Sequence, residues 1–150
     1  GELHDILKEK GAHLLLETIP KIVDGTIEPV LQPEAEATYA SLITRDMEKL
    51  DWTKPATDLH NQIRAFDPWP GSFTLLPDGK RLKLWKSRVQ KTEGTRGTPG
   101  EILQADAHGF LVACGSGSLE VLECQPEGRK RMPAASFVNG KHVKAGDRLE

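Results

Sequence analysis

The stretch GSFTLLPDGKRLKLWKSRV, residues 71–89, is where the hydrophobic period of the chain changes from helical to two. Side chains on a strand alternate between its faces, so Leu82 and Leu84 face a core while Arg81 and Lys83 face outward. Pro77-Asp78-Gly79 supplies the turn between a strand over Ser72 to Leu76 and a second over Leu82 to Val89. Strict alternation then meets a conflict, because Trp85 and Val89 also ask to be inside. A one-residue bulge near Leu84-Trp85 resolves it. With that bulge, Arg81, Lys83, Lys86 and Arg88 share one outward face.

Downstream, the same period predicts strands at Gly100 to Ala105, Gly109 to Cys114 and Ser118 to Cys124. They are separated by a glycine-rich loop over 94 to 100, by Asp106-Ala107-His108-Gly109, and by Gly115-Ser116-Gly117. Five short strands with tight turns predict a small closed barrel. A last short helix is expected over Pro133 to Val138, with Gly140 past its end.

Upstream, Trp52, Ala56, Leu59, Ile63 and Phe66 recur every three or four residues and predict a helix over Lys54 to Phe66. Thr53 is its expected N-cap, Pro55 lies in the first turn, and Asp67-Pro68 ends it, since a residue before proline is pushed out of the helical region. At the start of the chain, Leu3, Ile6, Leu7, Leu14, Leu15, Ile19 and Ile22 predict an amphipathic helix over Leu3 to Val23, kinked at Pro20 and stopped by Asp24-Gly25. Residues 26–42 carry Pro29 and Pro33 and no period, and read as a linker anchored by Val30, Leu31 and Tyr39. The chain begins at Gly1 with no earlier element to cover the apolar stripe of the first helix, so a piece of a longer protein is expected. That stripe is expected to dock on a second copy of the chain, giving a homodimer through residues 1–25, or to fold back on the barrel.

With 150 residues, 37% of them hydrophobic and 28% charged, the chain suffices for one core of ordinary size. No apolar run approaches the roughly 18 residues of a membrane span, so no membrane partner is expected. Two cysteines, Cys114 and Cys124, make neither a disulfide framework nor a four-ligand zinc site, and point to a reducing, cytoplasmic compartment. They read as buried free thiols on opposite faces of adjacent strands. His4, His13, His60, His108 and His142 show no metal-ligand spacing, and the glycine-containing loops neither follow a strand nor open a helix with a Lys-Ser/Thr pair. No catalytic, cofactor or metal residue is assigned.

Charge is more informative. Residues 1–51 hold 5 Lys or Arg against 11 Asp or Glu, whereas residues 52–150 hold 15 against 11. The basic part contains the four cations above and a second cluster, Arg129-Lys130-Arg131, in a glycine-led loop where chain reversal exposes side chains. Two functions remain open on these grounds. One is an edge strand charged against aggregation beside a solvated loop; the other is a face for a polyanion. Trp52, Trp69 and Trp85 lie on apolar stripes or beside Pro-Gly turns, which favours core roles over base stacking.

LDWTKPATDLHNQIRAFDPWPGSFT, then KRLKLWKSRV, then GTPGEILQADAHGFLVACGSGSLEVLECQPEGRKRMPAASFVNG and GDRL together resemble the C-terminal domain of the methionyl-tRNA formyltransferase family. The likeness runs from Ile43 to Leu149, and the upstream residues are similar to the last helix of that family's N-terminal domain plus its linker. IRAFDPWPGSF is the discriminating piece, because formyltetrahydrofolate dehydrogenases and amino-sugar formyltransferases lack the full Pro-Trp-Pro-Gly run. Asp67 stands where the family more often has asparagine.

The resemblance implies an α+β, mainly β fold: a small OB-like barrel with flanking helices, preceded by an amphipathic helix and an extended linker. It divides the chain into residues 1–25, the closing helix of a truncated Rossmann-like formyltransferase domain, a linker over 26–42, and an OB-like tRNA-binding domain over 43–150. It implies an enzyme of translation initiation that moves a formyl group from 10-formyltetrahydrofolate to the amino group of methionyl initiator tRNA. The folate is a substrate of the N-terminal domain, and nothing in this chain matches that domain's asparagine-and-histidine signature or its Gly-Leu-Asp-Thr-Gly segment. What it implies for this chain is tRNA held by its backbone, with Arg81, Lys83, Lys86, Arg88, Arg129, Lys130 and Arg131 as the contacts. The alternatives are a stand-alone OB-like module for nucleic acid and the C-terminal domain of an amino-sugar formyltransferase.

Overall fold

A computed structural model of the chain describes residues 1–90 and 97–150 and divides into two compact units, Gly1–Ile43 and Thr44–Glu150. The glycine-rich loop expected over 94 to 100 lies, as far as residue 96, outside the described residues.

In the first unit, α1 (Glu2–Val23) has no buried residue and runs on through Pro20. Its C-terminus is closed as the Asp24-Gly25 signal requires: Gly25 adopts φ 66°, its N–H donates to the Ile22 carbonyl at 3.2 Å, and the Thr26 N–H donates to the Lys21 carbonyl at 2.9 Å. This pattern satisfies carbonyls that a helix end otherwise leaves unpaired. The apolar positions of α1 do not form one stripe, since Leu14, Leu15 and Leu16 are consecutive and a helix turns once in about 3.6 residues. A short 3-10 turn at Glu34–Glu36 interrupts an otherwise irregular segment. Val30, Leu31 and Tyr39, expected to anchor it, are exposed.

In the second unit, β1 (Ser72–Leu75), β2 (Arg81–Gln90), β3 (Ile102–Asp106), β4 (Gly109–Ala113), β5 (Ser118–Pro126) and β6 (Met132–Pro133) form one six-stranded sheet. Its order is β1-β2-β5-β4-β3, with β6 on β5, and every pairing is antiparallel. Two helices flank it, α2 (Ala56–Ala65) and α3 (Ala134–Asn139). The fold is therefore α+β and mainly β, and the five predicted strands lie within two residues of their expected ends. The core joins Leu82, Leu84, Phe110, Val112, Leu119 and Val121 of the sheet to Leu59 and Ile63 of α2 and Phe137 of α3. Burying each such side chain contributes roughly 1.5–3 kcal/mol.

The sheet is not a closed barrel, which corrects the expectation of closure. Its edge strands β1 and β3 do not pair with each other, because the C-terminal segment occupies the edges of both. Leu75 and Glu150 exchange backbone hydrogen bonds of 2.7 and 3.0 Å. On the other side the Ile102 N–H donates to the Asp147 carbonyl and the Leu149 N–H to the Gly100 carbonyl, each at 2.8 Å. The tail thus satisfies Leu75 on one edge and Ile102 on the other, while the Phe73 carbonyl of β1 accepts from the Leu50 N–H at 2.8 Å.

A second correction concerns the start of α2. Pro55 is the N-cap, and the Ala56 N–H is satisfied by the Ser116 carbonyl at 2.9 Å, from the loop between β4 and β5. Thr53 instead donates through its N–H and its hydroxyl to Asp51 Oδ1, at 3.1 and 2.6 Å. Those bonds from Thr53 hold the Asp51 carboxyl below its ordinary pKa. Among the described residues no helix is long and apolar enough to cross a membrane.

Candidate nucleic-acid interface

β2 carries the first basic cluster. Arg81, Lys86 and Arg88 are exposed, Lys83 is half-buried, and Leu82, Leu84 and Ser87 are buried between them. The bulge lies where alternation demands it. Leu84 pairs with Cys124 and Lys86 with Glu123, so β2 holds one extra residue; Ser87 then pairs with Val121, so β5 holds one extra in turn. The two irregularities cancel, so Leu82 and Leu84 of β2 and Leu119, Val121 and Cys124 of β5 all reach the core.

Trp85 keeps the outward phase that strict alternation gives it, instead of the inside position expected from the bulge. It is buried but takes no part in the core cluster. Trp85 and Lys86 share the bulge, and the indole lies with the outward residues Lys83 and Gln125. Its N–H donates to Gln125 Oε1 at 3.0 Å, the partner a buried indole needs. The extra residue on β5 also returns Cys124 to the core cluster that holds Cys114, correcting their assignment to opposite faces. Both are free thiols, each pushed up to about 12 by burial.

The second cluster meets the first over Trp85. The Arg131 guanidinium lies 3.6 Å from the ring centroid and Lys83 Nζ 5.5 Å from it. Both cations also hold the segment between α2 and β1. Arg131 Nη2 donates to Asp67 Oδ1 at 2.5 Å, and Lys83 Nζ donates to the Pro70 carbonyl at 3.0 Å. Gln125 Nε2 donates to the Arg129 carbonyl at 2.8 Å, tying the loop before β6 to the same place.

The seven basic residues therefore differ in what they can offer. Lys86, Arg129 and Lys130 are exposed and have no ion-pair partner among the described residues. Lys83 and Arg131 are anchored around Trp85, Lys83 half-buried on the Pro70 carbonyl and Arg131 paired with Asp67. Arg81 lies 4.7 Å over the Phe73 ring. Arg88 is engaged: its Nε and Nη2 both donate to Glu120 Oε2, at 2.8 and 2.7 Å. Burial acts to raise the Glu120 carboxyl, but hydrogen bonds from Gln90 and Arg88 outweigh it and leave its pKa lowered. Sequence reasoning had no access to Glu120 or Asp67, because β2 pairs with a strand about thirty residues away and Arg131 with a residue 64 positions distant.

Among the described residues no group of three or more His, Cys, Asp or Glu is placed to hold a metal ion. The tryptophans separate cleanly. Trp52 is buried and donates to Thr74 Oγ1 at 2.9 Å, Trp85 lies under the cations, and Trp69 is 72% exposed, against the core role expected of it. The site offers clustered positive charge with anchored aromatics, and on the same strand the buried Ser87 Oγ lies 3.0 Å from His60 Nδ1.

Residues 42–142 match the family model described as formyl transferase, C-terminal domain. Among curated proteins the chain is 43% identical over 150 residues to a methionyl-tRNA formyltransferase of Bacillus velezensis, covering 99% of the chain and 47% of that protein. It is 44% identical to the protein of that name from Bacillus subtilis and 45% identical to that from Symbiobacterium thermophilum, again over 99% of the chain and 47% and 46% of the relatives. The chain thus spans about half the length of the curated relatives it matches. Among solved structures, HypX from Aquifex aeolicus superposes with a TM-score of 0.61 at 20% identity, over 87% of this chain and 23% of that one. At that identity the likeness speaks for the fold alone. On the family match and the relatives together, the chain belongs to the formyl transferase C-terminal domain family and is similar to the C-terminal half of methionyl-tRNA formyltransferases.

Proposed function

We propose that this chain is the tRNA-holding part of a methionyl-tRNA formyltransferase, an enzyme that transfers a formyl group from 10-formyltetrahydrofolate to the amino group of methionyl initiator tRNA in the cytoplasm. The observation that carries this reading is the meeting of the two basic clusters over Trp85, with Lys86, Arg129 and Lys130 open to solvent beside Lys83 and Arg131. The names of the relatives supply the partner. Cations that meet phosphates release condensed counterions, so such a surface binds RNA by its backbone, with strong salt dependence and little regard for sequence.

The chain's own contribution is binding and orientation. Lys86, Arg129 and Lys130 neutralise phosphates, while Lys83 and Arg131 set the shape of the face by fixing the segment that follows α2. No chemistry is assigned to this face: the Ser–His contact that β2 does make, His60 Nδ1 to Ser87 Oγ at 3.0 Å, has its serine buried. The experiment is a titration of the chain with tRNA at several salt concentrations. Weak binding whose affinity falls steeply with salt, equal for initiator and elongator tRNA, is expected; salt-independent binding or none would overturn the reading.

A further inference from the structure

Within Thr44–Glu150, among the described residues, the exposed large apolar side chains are Met47 at 40% and Trp69 at 72%. Trp69 sits in the middle of a segment pinned at both ends. The Gly71 N–H donates to the Phe66 carbonyl at 2.9 Å, Arg131 holds Asp67, and Lys83 holds the Pro70 carbonyl. Gly71 lies on Trp85 so closely that a Cβ there would come within 2.7 Å of the indole, and its φ of +86° disfavours any side chain. The same two cations and the same indole that organise the basic face therefore also hold the segment that puts Trp69 into water.

With Met47 the other exposed large apolar side chain described in Thr44–Glu150 and Pro68 exposed beside it, Trp69 offers little of the contiguous area that an apolar protein partner needs. Set among cations, it matches a polyanion that also carries aromatic faces. We propose that Trp69 is a stacking platform for an unpaired base of RNA whose phosphates are held by the neighbouring basic residues. An unpaired base is required because a duplex keeps its base faces within its own stack, whereas tRNA offers unpaired bases in its loops and at its end. The inference rests on the tRNA-binding reading and adds to it the residue and the kind of base.

The test uses the whole chain, tRNA, and a pair of RNA duplexes, one blunt and one with a single-stranded overhang. Trp69→Ala is expected to weaken tRNA binding by about 5- to 150-fold, the range of an aromatic–base stack, without changing the salt slope, because every phosphate keeps its cation. Trp69→Phe keeps most of the affinity. The preference for the overhang over the blunt duplex disappears in Trp69→Ala. Because Trp52 and Trp85 are buried, tRNA quenches the tryptophan emission of the wild type and leaves that of Trp69→Phe nearly unchanged. Should Trp69→Ala melt early, this emission comparison decides. Wild-type affinity in Trp69→Ala with unquenched wild-type emission, or an equal loss on the blunt duplex, would overturn the stacking role while leaving backbone binding intact. Absence of salt-dependent tRNA binding by the wild type would instead overturn the functional reading, and the stacking with it.

Discussion

Arg88 and Lys86 leave the same face of β2, yet only Lys86 reaches water without a carboxylate on it, while Arg88 places two nitrogens on Glu120 Oε2. A cation already paired adds little when a phosphate arrives, because the pair must first be broken. Lys86→Gln is therefore expected to flatten the slope of log tRNA affinity against log salt by roughly 0.7–0.9, the value of one phosphate contact. Arg88→Gln should change it by clearly less; equal slopes for the two variants in a salt titration would show that Glu120 gives way. The cysteines make a separate prediction at this scale. Thiolate, not thiol, is the nucleophile, and burial pushes both thiols up to about 12, so a thiol-specific reagent at neutral pH should label Cys114 and Cys124 only as fast as the protein unfolds. Rapid labelling of the folded chain would contradict the packing of both thiols into the core.

Among the elements, the C-terminal tail has a large consequence for so short a segment, because it bonds to both edges of the sheet and buries Leu149 in the core. Leu149→Ala is expected to cost about 2–5 kcal/mol in denaturant unfolding, the range for truncating a core leucine. Gly100→Ala should cost more than about 1 kcal/mol, since Gly100 has φ +90° and its added Cβ would stand 2.4 Å from the Leu149 carbonyl oxygen. Wild-type stability in both variants would mean that the tail does not hold the edges. Nothing in the sequence near Asp147–Glu150 announces this role, because a tail without period or turn chemistry is read as loose. What the sequence did announce was local. Period-two alternation placed the strands, the Leu84–Trp85 conflict placed the bulge, and Asp24-Gly25 placed the end of α1. What it could not announce was non-local: the Ser116 carbonyl that caps α2, the second irregularity on β5 that turns Cys124 inward, and Glu120 and Asp67 as partners of Arg88 and Arg131. Trp85 shows the limit of hydrophobicity as a guide, since it is buried by cations and a pinned segment instead of by the core.

For the molecule as a whole, charge is divided: Gly1–Ile43 holds 3 Lys or Arg against 8 Asp or Glu and Thr44–Glu150 holds 17 against 14, so the net positive charge lies in the second unit. The chain holds clustered cations and no assigned catalytic group, so by itself it should give no formyl transfer from 10-formyltetrahydrofolate to methionyl-tRNA; turnover above a buffer control would place chemistry in this chain. Backbone binding of tRNA is probed most directly by neutralising Lys86, Arg129 and Lys130 together to glutamine and measuring tRNA affinity across salt concentrations. With three phosphates no longer neutralised, the log–log slope should flatten by roughly 2–2.7 and binding at low salt should weaken. The melting temperature should hardly move, because exposed charges contribute little to stability. An unchanged slope with wild-type affinity would contradict tRNA binding through this face and return these side chains to the role of a charged, solvated surface.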